Sequence, residues 1–123
     1  MRRACWFVCS ILVLGVTVDL AHSGVMTWDQ YTKAYAQDWF KTYLQGVGDG
    51  LTMANTAFKV DRSVKPLFCP PDKLVFTREN YSQLFDSHLK SQIIAGRAER
   101  YKHIFVEGEL LWALRDAFPC TGE

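Results

Sequence analysis

This sequence is short of excess charge, of cysteine and of long apolar runs, and each shortage removes a class of function. Its 14 Lys and Arg face 13 Asp and Glu, a formal net charge of +1 over 123 residues. So even a balance gives no electrostatic support for nucleic acid or an anionic membrane as the partner. Cysteine occurs four times, as Cys5, Cys9, Cys69 and Cys120. The apolar run from Ala4 to about Val16 is too short for a transmembrane helix. No stretch alternates cleanly enough to read as a strand, and there is no internal repeat, low-complexity tract or linker.

The signatures of catalysis are missing as well. No serine stands in Gly-x-Ser-x-Gly. Gly46-Val47-Gly48-Asp49-Gly50 resembles a phosphate loop only superficially, because it follows helical periodicity rather than a strand and lacks the Gly-Lys-Ser/Thr ending. The spacing around His88 fits no metal motif, and as part of an apolar stripe it reads as a buried or half-buried structural histidine. His103 reads as a surface residue. Glu107 and Glu109 are two positions apart, which sends them to different faces of a helix. The expectation is a protein without metal or cofactor that binds rather than catalyses.

What the chain does carry begins at its N-terminus. Met1-Arg2-Arg3, the apolar run and Leu20-Ala21-His22-Ser23-Gly24 match the three parts of an export signal cleaved near Ser23. An uncleaved anchor is the alternative, and the length of the run and Asp19 just beyond it speak against that. Cys5 lies in the removed part, as does Cys9, which is preceded by Trp6-Phe7-Val8 rather than the small residues of a lipoprotein signal. Cleavage also removes Arg2, Arg3 and Asp19, leaving 12 basic and 12 acidic residues of the original 14 and 13. Residues 1–23 are therefore expected to be a signal peptide, and 24–123 one small exported domain.

In an exported domain of this size Cys69 and Cys120 are expected to pair. The bond would close a span of 51 residues and on the chain-entropy model add about 4 kcal/mol. That is a large part of the ~5–15 kcal/mol that holds a whole domain.

Three segments have helical periodicity. The first opens at Thr27 with Gln30 three residues on, the pattern of a capping box. It runs through Tyr31, Tyr35, Trp39 or Phe40, Tyr43 and Val47, and weakly on through Leu51 and Ala54 toward Phe58. The second opens at Thr77, with Glu79 in its first turn and Tyr81, Leu84, Phe85, His88 and Leu89 as its apolar stripe; Gly96 stops it. The third runs from about His103 to Phe118, with Val106, Leu110, Ala113, Leu114 and Ala117 on one face and Pro119 at its end. Val60 to Phe76 is loop chemistry, rich in Pro and Asp, with Lys73-Leu74-Val75-Phe76 as at most one short extended piece. The fold class is all-α, a small helical bundle stapled by one disulfide. Its aromatic core candidates are Trp28, Tyr31, Trp39, Phe40, Phe58, Phe76, Phe85 and Trp112.

Gly46, Gly50 and Ala54 recur every fourth residue, so this helix face is expected to let another backbone approach closely; a kink near Gly48 is the other reading. Gly96-Arg97-Ala98-Glu99-Arg100-Tyr101-Lys102 reads either as a solvated loop or as part of a protein-binding surface. Arg97, Arg100 and Tyr101 are its candidate contacts, because Arg and Tyr are favoured interface anchors.

The region Leu67–Cys120 resembles the Rap/Tai family of periplasmic immunity proteins, which accompany peptidoglycan-amidase effectors of bacterial type VI secretion. The resemblance is carried by Phe68-Cys69-x-Pro71, by the Thr77-capped helix, and by the ending Ala113-Leu114-Arg115-Asp116-Ala117-Phe118-Pro119-Cys120. The segment Tyr43-x-x-Gly46-Val47-x-Asp49-Gly50 is similar to the family's first-helix motif, although Gly48 stands where a helix former is expected. The resemblance implies a periplasmic homodimer that neutralises a cognate amidase toxin by occluding its catalytic groove. An exposed Tyr or Trp of the first helix would anchor the dimer. The family's shared motifs are structural, so they nominate no toxin-contacting residue. Two other classes stay open: an acid-stress chaperone resembling the small Hde-type proteins, and a small secreted hydrolase for which no residues can be named.

Overall fold

The computed structural model describes residues 24–120. The expected signal peptide lies outside them. The chain is mostly helical, as expected: α1 Trp28–Ala34, α2 Asp38–Val60, α3 Arg78–Ile94 and α4 Val106–Ala117, with a 3-10 helix at Ala98–Lys102. Two short strands, β1 Val25–Met26 and β2 Ile104–Phe105, pair antiparallel, Val25 opposite Phe105 and Met26 opposite Ile104. Periodicity did not reveal this pair, because two residues per strand are too few to alternate. The pair has a purpose in the fold: it ties the segment before α1 to the start of α4, and the Val106 N–H continues it by donating to Gly24 O at 2.8 Å. It also delays α4 to Val106, three residues later than the expected His103.

The helix starts follow local chemistry. Thr27 and Thr77 each form a complete capping box, with Gln30 and Asn80 as reciprocal partners. Gly96 sits just beyond α3 with φ of 81°, the left-handed geometry that ends a helix cheaply only at glycine.

The single long first helix expected from periodicity is in fact two. α1 stops at Ala34, and Gln37 is extended (φ −85°, ψ 138°) before α2 begins. The cause is tertiary. On one straight helix, Tyr31 and Phe40 would point about 180° apart at roughly 100° per residue. With the break, both fully buried rings meet edge to face at 6.0 Å and both contact Phe85, at 5.6 and 6.1 Å.

α2, α3 and α4 pack on one another around Phe40, Leu44, Phe68, Tyr81, Phe85, Leu89, Ile104, Val106, Leu110 and Leu114. Of the expected aromatic core, Tyr31, Phe40 and Phe85 are buried, and Trp28, Phe58 and Phe76 are half-buried. Trp39 and Trp112 are not core residues: they are 60% and 51% exposed. In the same way Ala117 falls on the exposed side of α4.

Close helix packing does occur on α2, but not at Gly46 and Gly50. Both are exposed, and a Cβ added at either would meet nothing within 4 Å. The close approach is at buried Gly48, where an added Cβ would lie 2.4 Å from the Tyr81 ring of α3. So Gly48 makes room for a side chain rather than a backbone. The ring it admits stacks on Phe76 at 5.1 Å, and its hydroxyl reaches Asp49 Oδ1 (3.2 Å) and Thr52 Oγ1 (3.1 Å).

The loop between α2 and α3 is held from two sides. Asn55, 2% exposed on α2, receives the Leu67 and Phe68 N–H groups on its Oδ1 (2.6 and 3.2 Å) and donates from Nδ2 to Phe68 O (2.8 Å). Cys69 is bonded to Cys120 with a Cα–Cα separation of 4.9 Å, and its N–H donates to Phe118 O at 2.8 Å. The expected disulfide thus clamps the end of α4 to the loop that leads into α3.

Candidate functional site

The 3-10 helix with the facing sides of α3 and α4 encloses a cleft of about 420 Å³ lined by His88, Gln92, Arg97, Arg100, Tyr101, Glu109, Trp112 and Asp116. Its position follows from the turn at Gly96, which lays Arg97–Lys102 back across the α3–α4 seam. All three residues nominated as partner contacts, Arg97, Arg100 and Tyr101, border this one cleft, but in different ways. Arg97 and Arg100 are exposed. The Arg100 N–H donates to Arg97 O at 3.0 Å, closing a turn at the N-cap of the 3-10 helix, and both side chains line the cleft. Arg97 Nη1 donates to Gln92 Oε1 at 2.5 Å.

Tyr101 is not a surface anchor. It is 3% exposed and belongs to the core, with its hydroxyl donating to Glu109 Oε2 at 3.2 Å. The charged residues around it in sequence concealed this; its spacing to buried Ile104, three residues on, was the available signal.

The floor of the cleft is polar and satisfied. His88 has 7% side-chain exposure and lies between two carboxylates of α4, Nε2 at 3.1 Å from Glu109 Oε2 and Nδ1 at 3.0 Å from Asp116 Oδ2. Glu109 and Asp116 are seven residues apart, two turns along one face, so one imidazole of α3 lies within hydrogen-bond distance of both, donating to one carboxylate when neutral and to both when protonated. His88 is thus a buried structural residue, as its place in the apolar stripe suggested. His103 is exposed. Trp112, beside these groups, presents half its surface to solvent, and the Arg115 guanidinium lies 4.7 Å from its ring centroid.

Glu107 and Glu109 diverge as expected. Glu107 accepts from the Tyr43 hydroxyl at the N-terminal side of α2, and Glu109 faces the cleft. Among the described residues there is no group of three or more His, Cys, Asp or Glu that could hold a metal ion. Nor is any helix among them long and apolar enough to cross a membrane.

Burial, and then the adjacent carboxylate, pushes Tyr43 and Tyr101 up to about 12. Tyr31 and Tyr81 are also raised, chiefly by burial. The folded state therefore keeps these protons longer than the unfolded chain, whose tyrosines ionise near pH 10. The contribution of Tyr43 and Tyr101 to stability should be complete below about pH 10 and be lost as pH rises through about 12. Denaturant titrations across that range, read beside phenolate absorbance, should show ionisation and unfolding together. Ionisation of Tyr43 and Tyr101 near pH 10 with the helices intact would contradict their assigned burial.

Comparison with protein-family models, with curated proteins and with solved structures returned no match to this chain.

Proposed function

We propose that this chain is an exported, immunity-type binding protein that neutralises a peptidoglycan-amidase toxin in the periplasm by covering its catalytic groove. The observation that carries this reading is the meeting of the two ends of the resemblance. Phe68-Cys69 and Phe118-Pro119-Cys120 are far apart in sequence but form one unit: Phe68 is fully buried, Cys69 is bonded to Cys120, and the Cys69 N–H is bonded to Phe118 O. A disulfide in this role suits an oxidising compartment. The unit is structural, in keeping with a family whose shared motifs hold a scaffold while other surfaces select the toxin. The α3–α4 cleft carries arginines and an exposed tryptophan, residue types favoured as interface anchors. A homodimer is part of the proposal, with the exposed Trp39 of α2 as its anchor.

The experiment is coexpression with the product of the neighbouring gene directed to the periplasm. Lysis by that product alone, and survival when this chain is present, is the expected result. A neighbouring product that is harmless there, or equally lethal with and without this chain, would refute the immunity reading.

A further inference from the structure

We infer that the α3–α4 cleft receives an acidic segment of the protein partner, with its carboxylates on Arg97 and Arg100 and an adjoining apolar side chain on Trp112. This rests on the binding-protein reading above and names the chemistry of the partner's contact.

The argument is one of charge already spent and charge left over. Four basic side chains on the helices are paired: Lys33 with Asp29, Arg78 with Asp38 and Glu79, Lys90 with Asp86, and Lys102 with Glu99. Arg97 and Arg100 have no carboxylate partner among the described residues. The two carboxylates within the cleft, Glu109 and Asp116, are turned onto the ring nitrogens of His88. Among the described residues, only the Arg97 contact to Gln92 uses any of the ten N–H donors of these two guanidiniums. Two guanidiniums lining one cleft offer the paired donors that suit carboxylates. The exposed face of Trp112 beside them offers the apolar contact that a bare anion would not need, which favours a peptide segment. The domain as a whole is electrically balanced, so the preference is local to this cleft rather than a property of the net charge.

The test has two arms. In the first, the isotope-labelled protein is titrated with the dipeptide N-acetyl-Glu-Glu and, separately, with N-acetyl-Lys-Lys. The side-chain N–H signals of Arg97, Arg100 and Trp112 should shift saturably with the acidic probe alone, and the shifts should vanish in an R97E/R100E variant whose melting temperature is unchanged. No saturable shift, or shifts spread equally over the exposed lysines Lys59 and Lys73, overturns the inference. In the second arm, R97E/R100E should weaken binding to the toxin found by coexpression at least about tenfold and flatten its salt dependence, while K59E/K73E should not. Equal affinity of R97E/R100E and wild type overturns the cleft assignment and leaves the immunity reading standing. If no toxin is found, the immunity reading falls and the dipeptide arm alone decides the cleft. A homodimer that dissociates on R97E/R100E would make a second copy of this chain the occupant, and would also overturn the inference.

Discussion

Cys120→Ser, or reduction of the intact protein, should lower the unfolding free energy by about 4 kcal/mol, the loop-closure entropy of a 51-residue span. For a domain of this size that corresponds to a fall in melting temperature of roughly 15–30 °C. The loss is expected mainly in the unfolded state. Opening the bond releases the span from Cys69 to Cys120, which contains all of α3 and α4, so the unfolded ensemble expands. The folded state keeps its other ties to the clamp: the Cys69 N–H to Phe118 O, the Phe118 ring edge-on to Phe76 at 5.4 Å, and Phe68 in the core. Denaturant titration with and without reductant measures the effect, and a steeper denaturant dependence in the reduced protein would place it in the unfolded chain. A change below about 1 kcal/mol would show that the unfolded chain is already compact across this span.

The functional consequence follows from geometry. The disulfide lies just beyond the C-terminal end of α4, whereas Arg97 and Arg100 follow the C-terminal end of α3, at the start of and within the 3-10 helix. Below its lowered melting temperature Cys120→Ser should therefore bind its partner as the parent does. A variant that kept its stability but lost the partner would move the working surface to the clamp itself.

Which parts of this were legible in the sequence depended on how local their causes are. Thr27 with Gln30, Thr77 ahead of its helix, and Gly96 act within a few residues, and each was read in the right place. The break between Ala34 and Asp38 was not, because Tyr35-Ala36-Gln37 contains neither Pro nor Gly; it exists so that Tyr31 and Phe40 both reach Phe85. The glycine reading failed for a related reason. The four-residue spacing of Gly46 and Gly50 is a real pattern, but the residue that needs a missing Cβ is chosen by where the Tyr81 ring arrives, and it arrives at Gly48. At the candidate site, Arg97 and Arg100 were visible as a charged pair. The buried Tyr101 and the Glu109–His88–Asp116 bridge join three separate segments and leave no mark in any one of them.

Asn55 is the other long-range feature that no motif announced, and its removal should be nearly as costly as loss of the disulfide. It is 2% exposed and satisfies three backbone groups of Leu67 and Phe68. Two N–H groups converge on one end of the amide and a carbonyl on the other, a set that only an amide satisfies in full. Asn55→Ala strands all three beside the buried Phe68. At about 1–3 kcal/mol for each buried group left unpaired, partly relieved by local movement, a loss of about 3–4 kcal/mol is expected. Asn55→Leu separates the causes. If the loss came from a cavity, leucine would recover most of it; if it comes from unpaired backbone, leucine should be as damaging as alanine. Because Asn55 and Cys69 restrain the same short loop, their effects should not add. In the Cys120→Ser background the Leu67–Phe68 backbone can turn toward water, so Asn55→Ala should cost at least about 0.5 kcal/mol less than in the oxidised protein. Strict additivity in a double-mutant cycle would mean that the amide and the disulfide hold different parts of the loop.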